Sequence, residues 1–173
     1  MEYLPVLYAP VMILFNMNRE EYPMRFRSHW MERAMVLAAS LVMHFLSLHQ
    51  EIGLVAAASL KGDDGVAVAR IGGTAGHAAA ILEMLARMDA PRDATDFTGL
   101  LHGTGVQMPV RTHIEVITPS VTDEQHAFLR EEKQKGYVVE VFLLGGDEGG
   151  KRDSLRKDFP VSLVTDYGAE LLP

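Results

Sequence analysis

The chain has 173 residues, a hydrophobic fraction of 48% and a net charge of -7. That length suits one domain with a sizeable core, and the composition argues against disorder. Cysteine is absent, which excludes disulfides, thiolate catalysis and cysteine-based zinc sites. No block of Lys or Arg forms a stripe, so no nucleic acid partner is expected.

The start, Met1-Glu2-Tyr3-Leu4-Pro5, lacks a basic region and a small-residue cleavage site, and reads as no signal peptide. Val11–Met17 reads as a buried strand. Pro23 precedes a helix predicted over Ser28–Gln50, with Ser28 as N-cap. Within it Trp30, Ala34, Leu37, Ala38, Leu41, Phe45 and Leu48 recur at helical spacing and form the expected core face. Met31, Met35, Val36, Val42 and Met43 fall outside that face. The run Ala34–Leu48 is almost wholly apolar, but as a helix it rises only about 22 Å, short of a bilayer. It is therefore a buried or interface helix.

Next, Ile52–Ser59 and Val66–Ile71 flank Lys61-Gly62-Asp63-Asp64-Gly65. Asp-Gly between short strands is a hairpin signal, so the two should pair antiparallel. Gly72-Gly73-Thr74 opens a predicted helix over Ala75–Asp89, with Thr74 as N-cap and Pro91 as terminator. A weaker helix is read over Thr95–Leu101, then a loop, His102-Gly103-Thr104-Gly105. Thr112–Thr118 is a strand, Thr122–Lys135 a helix stopped by Gly136, and Val138–Leu144 a strand. Gly145–Gly150 reads as a mobile loop, Ser154–Lys157 as a short helix, and Val161–Thr165 as the strand that closes the sheet.

Strands alternating with helices imply a mostly parallel sheet covered on both faces. The expected fold is a three-layer Rossmann-like α/β sandwich with one antiparallel edge strand. In such a fold the carboxyl end of an early strand is where a site belongs. Here that crest is Asn16-Met17-Asn18-Arg19-Glu20.

The layout resembles the von Willebrand factor A domain, and more closely the von Willebrand-like part of the bacterial domain of unknown function 58 family. The residues carrying the resemblance are Val11-Met12-Ile13-Leu14-Phe15-Asn16, Met31-Glu32-Arg33-Ala34, Ala38-Ala39-Ser40-Leu41, Ile52-Gly53-Leu54 and Ile81-Leu82-Glu83-Met84-Leu85-Ala86. It covers nearly all of the chain from about Val6 onward, as a single domain over residues 1–173. The resemblance implies membrane-spanning segments N-terminal to the domain and a neighbouring MoxR-type AAA ATPase. The chain then reads as the C-terminal fragment of a larger, membrane-anchored protein, with this domain in the cytoplasm.

Domains of this kind often bind magnesium through Asp-x-Ser-x-Ser, a Thr from a second loop and an Asp from a third. On this chain Asn16 stands at the Asp, with Asn18 and Glu20 at the two Ser positions. Thr74 matches the second loop, and Pro119 stands where the third-loop Asp would be. Magnesium wants hard oxygens and usually a carboxylate. Arg19 beside Glu20 opposes a cation, so the resemblance implies a degenerate metal site and no cofactor, with magnesium only a weak fit.

Two other readings compete. Gly72-Gly73-Thr74-Ala75-Gly76 could cradle an anion at a helix start, though it lacks the dinucleotide fingerprint. A small α/β enzyme, hydrolase or nucleotide-dependent, would use Thr74, His77 and His102 at the crest. The expectation preferred over these is a non-catalytic interaction module. Its surface would include Met17, Met31, Met35 and Met43, since methionines suit adaptable contacts. The partner would be another protein, a MoxR-type ATPase or a second copy in a homodimer.

Overall fold

In the computed structural model the described residues are 9–60, 63–90, 99–100, 108–145, 151–165 and 168–171, with the side chains of 59–60, 63–65, 151, 165 and 168–171 excepted. The strands are β1 (Val11–Phe15), β2 (Ile52–Leu60), β3 (Asp63–Gly72), β4 (Met88–Asp89), β5 (His113–Thr118), β6 (Val138–Leu144), β7 (Val161–Thr165) and β8 (Gly168–Leu171). The helices are α1 (Arg27–Ser47), α2 (Ala75–Arg87), α3 (Asp123–Gln134) and α4 (Lys151–Asp158). One sheet runs in the order β3-β2-β1-β5-β6-β7-β8, with β4 paired to β2 off that path.

The pairs β1–β2, β1–β5, β5–β6 and β6–β7 are parallel. The pairs β2–β3 and β7–β8 are antiparallel. The expected three-layer sandwich is therefore present, with the hairpin at one edge as read. The far edge differs: Val161–Thr165 does not close the sheet, because β8 folds back beside it. Its Gly-Ala-Glu-Leu stretch carries none of the β-branched alternation that marks a strand.

Each face has its own core. Val11, Ile13 and Phe15 meet α1 and α2, while Met12 and Leu14 meet α3 and α4 through Phe128, Leu129 and Leu155. Every residue of β1 is buried, which explains its unbroken apolar run.

Helix α1 turns the expected stripe inward except at its last member: Ala34 and Ala38 are buried, and Trp30, Leu37, Leu41 and Phe45 pack against the core. Its buried line is Ala34, Ala38 and Val42. Met31 and Met35 pack against the core, and Leu48 is exposed. Small alanines at the centre let the helix approach the sheet closely, so longer side chains on both flanks reach down beside it. The helix begins at Arg27, with Phe26 at the N-cap and no side-chain cap, so Ser28 does not cap it. It ends at Ser47 because His49 turns to φ 57. Among the described residues no helix is long and apolar enough to cross a membrane.

The predicted helix over Ala75–Asp89 loses its last two residues to β4, which pairs with Ser59 and Leu60 beyond the end of β1. Thr74 and Thr122 cap α2 and α3 through side-chain oxygens, Thr122 in a full capping box with Gln125. Of the helix read over Thr95–Leu101 only Gly99 and Leu100 are described, and both are helical; the loop with His102 and most of Gly145–Gly150 lie outside the described residues.

Candidate functional site

Strand β1 connects onward to β2 on one side, while β5 connects to β6 on the other. The order of the sheet therefore reverses between β1 and β5, and the crevice above that reversal is where ligands of open α/β sheets bind. Asn16 lies there, its backbone N–H still donating to Ile117 at 2.9 Å.

The crest turn is built by side chains closing on backbone. Asn18 N–H donates to Asn16 Oδ1 at 2.9 Å, and Glu20 N–H to Asn18 Oδ1 at 3.2 Å. These bonds start a 3-10 turn, Arg19–Glu21. That turn swings Glu21 inward and leaves Glu20 exposed. Asn16 Nδ2 donates to Glu21 Oε2 at 2.8 Å and to Thr118 Oγ1 at 3.0 Å. Asn18 Nδ2 donates to Glu21 Oε1 at 3.0 Å, and Gln125 Nε2 reaches Glu21 Oε2 at 3.5 Å. The Thr118 hydroxyl in turn donates a hydrogen bond to the Ser120 carbonyl at 2.6 Å. Tyr22, fully buried, donates its hydroxyl to the Asn16 carbonyl at 2.8 Å. Burial and the nearby Glu21 charge hold that phenol well above its usual range.

The carboxylate of the crest is thus Glu21, with Thr118 and Gln125 beside it. None of the three stood among the expected site residues; Glu20 and Pro119 are their neighbours in sequence. The available signal was the Asn18 cap, which makes a turn of Arg19–Glu21 and reverses which glutamate faces in.

Thr74 does not join this crest. In register, Gly72 is level with Ile52, and Ile52 with Val11. Thr74 therefore sits where β1 begins, about 13 Å along the strands from where it ends. The cause is β3 itself: an antiparallel strand delivers the following loop to the opposite end. His77 is held there too, donating from Nε2 to the Ile52 carbonyl at 2.9 Å, while Thr74 accepts from His77 N–H at 3.0 Å. Thr74 and His77 lock the start of α2 to the start of β2 and form no catalytic group at the crest. His102 lies outside the described residues.

The donor set at Asn16, Asn18 and Glu21 does not fit magnesium. Both amides turn N–H toward the one carboxylate, and a metal would need their oxygens there. Among the described residues no group of three or more His, Asp or Glu could hold a metal ion.

The methionines divide. Met17, 3% exposed, belongs to the core and forms no contact surface. Its backbone follows the inward-turned crest, which drives the side chain under it. Met31 and Met35 are half-buried against that core, and Met43 is 52% exposed.

Beside the crest opens a cleft of about 520 Å³. Glu20 to Met24 and Arg27 wall one side, Arg152 and Leu155 of α4 another, and Val121, Leu143 and Leu144 supply apolar lining. Pro119 lines it as well.

No family model matches the chain, and no curated protein matches it. Solved structures do. Proximal thread matrix protein 1 from the mussel byssus aligns at 14% identity and TM-score 0.60, over 91% of this chain and 43% of that one. A von Willebrand factor type A protein from Catenulispora acidiphila aligns at 14% identity and TM-score 0.60, over 91% of this chain and 39% of that one. An aerotolerance-related membrane protein from Bacteroides fragilis aligns at 18% identity and TM-score 0.56, over 83% of this chain and 74% of that one. The chain thus spans less than half the length of the first two. At these identities the likeness is one of architecture, and it shows that the chain has a von Willebrand factor A-like fold.

Proposed function

We propose that this chain is a non-catalytic protein-interaction domain, one part of a longer protein, whose crest is a degenerate metal-ion-dependent adhesion site. The observation that carries the reading is the engagement of Glu21 by the amides of Asn16 and Asn18. A carboxylate so held is charge-stabilised without a cation, and the amides are spent as donors. The crest is then a rigid polar surface beside an apolar cleft, which suits contact better than chemistry.

The partner we infer from the resemblance is a MoxR-type AAA ATPase in a membrane-associated assembly, with this domain on the cytoplasmic side. A membrane protein among the structural neighbours supports that setting. Thermal melting with and without millimolar magnesium tests the metal-free crest: the expected outcome is no shift, and a clear rise overturns it. Co-purification with a MoxR-type ATPase encoded nearby tests the partner, and no complex at micromolar concentrations removes it.

A further inference from the structure

The hairpin edge of the sheet is open. Among the described residues no strand pairs with the outer side of β3, although β3 runs from Asp63 to Gly72. Such an edge presents a row of backbone donors and acceptors, which proteins usually blunt with Pro, Lys or a short strand. β3 has none of these devices. Its one irregularity is the register shift opposite Gly53, near its end, so Asp63–Ala69 runs in unbroken register. Val66 and Val68 lie level with Ala57 and Val55 of β2, and so share the face of the α3–α4 core. They are nevertheless 42% and 38% exposed. Arg70, two residues on, is exposed and forms no ion pair among the described residues.

We propose that β3 pairs antiparallel with β3 of a second copy of this chain, about a two-fold axis at Ala67, joining the two sheets into one. The inference goes beyond the reading of the crest and does not depend on it.

The pattern of the strand selects a second copy as occupant and fixes the register. A two-fold axis normal to the sheet keeps each face on its own side, so even positions meet only even positions. Centring on Ala67 sets Asp64 opposite Arg70 of the second copy, twice over by symmetry, and Val66 opposite Val68 of the second copy. Centring on Val66 would set Asp64 opposite Val68, and centring on Val68 would set Arg70 opposite Val66. Only the register at Ala67 matches each of these charges with its opposite and each valine with a valine. Neighbouring charges do not undo the match. Glu83 and Arg87 of α2, the helix over the Ala67 face, pair with each other. Asp63 precedes the paired stretch, and Glu51 lies against Gly73 beyond it. One added strand per copy makes a small interface, so the dimer should be reversible at micromolar concentrations.

The test is sedimentation velocity of the full chain from about 1 to 500 micromolar, read beside hydrogen exchange of the β3 amides. A monomer–dimer equilibrium is expected, with those amides slowing as the dimer forms. Arg70→Asp and Asp64→Arg each set like charges opposite one another at both ends, and each should weaken self-association about tenfold or more. Mixed together, the two variants restore both opposite pairs. A heterodimer of wild-type strength is then expected, which misfolding of either variant would not give. A monomer at every concentration overturns the proposal, and slow β3 amides in that monomer would show another segment of this chain covering the edge. A dimer indifferent to Arg70→Asp, or a mixture that fails to recover, overturns it too. So does growth beyond two copies, since an isologous pair closes at two. None of these results bears on the magnesium melt that tests the crest.

Discussion

Glu115 of β5 and Glu140 of β6 are register partners on adjacent parallel strands, so their side chains leave the same face of the sheet. Glu115 is 4% exposed, and its Oε2 has no hydrogen-bond partner among the described residues. Glu140 has the Ser162 hydroxyl as a donor at 3.2 Å. Burial first, and the Glu140 charge second, push Glu115 up to about 8.

The sign of the pH effect follows. Between the ordinary carboxyl value and about 8 the folded chain holds a proton that the unfolded chain has released. Stability from this group is full below the unfolded value and is lost as pH rises toward 8. The loss from pH 5 to pH 8 is on the order of 2–4 kcal/mol. Urea denaturation across that range should show the slope, and Glu115→Gln should flatten it and be the more stable variant at pH 8.

At the crest, Asn16→Asp replaces a donor with a second carboxylate at 2.8 Å from Glu21. Two such charges cannot both be ionised at that separation. The variant should lose about 1–3 kcal/mol at pH 7 and recover part of it near pH 5. Equal stability of the two proteins at pH 7 would mean that the Asn16–Glu21 bond contributes nothing.

Phe26→Gly should raise stability by about 0.5–1 kcal/mol, because relief of left-handed strain exceeds the added freedom of the unfolded chain. Calorimetric melting reads this directly. A drop in melting temperature would show that the ring contributes packing which outweighs its strain.

Thr74→Ala removes the oxygen that accepts from His77 N–H and should cost about 1 kcal/mol. Lying at the opposite end of the sheet, it should leave any crest binding unchanged. Altered affinity in this variant would contradict the strand register that separates the two.

What the chain reveals before folding is mostly local. Thr74 and Thr122 cap helices because the residues three positions on lie within reach of their side chains. The parallel strands are visible because burial on both faces demands unbroken apolar runs. The crest is only half visible, since Asn16 and Asn18 are adjacent in sequence to Glu21 but Thr118 and Gln125 arrive from across the sheet. The misplacement of Thr74 has a different origin. The antiparallel hairpin is legible in Asp-Gly, and that same hairpin carries the next loop to the far end. In helix α1 the stripe from Trp30 to Phe45 is legible, but nearly every side is apolar, so periodicity does not show that Val42, Met31 and Met35 join the packed face.

Gly53 sits at the register shift of β2. A Cβ there would lie 2.7 Å from Met12 Cε and 3.0 Å from the Ala69 carbonyl oxygen. Met12 and Ile71, whose Cγ1 is also at 3.0 Å, are the movable members of that contact and the carbonyl is not. Positions 12 and 53 therefore cannot drift independently in descendants of this chain: an alanine at 53 needs a shorter residue at 12, a shifted Ile71 and some give in the β2–β3 pairing. Paired substitution at these two sites would mark lineages in which the hairpin edge has been rebuilt.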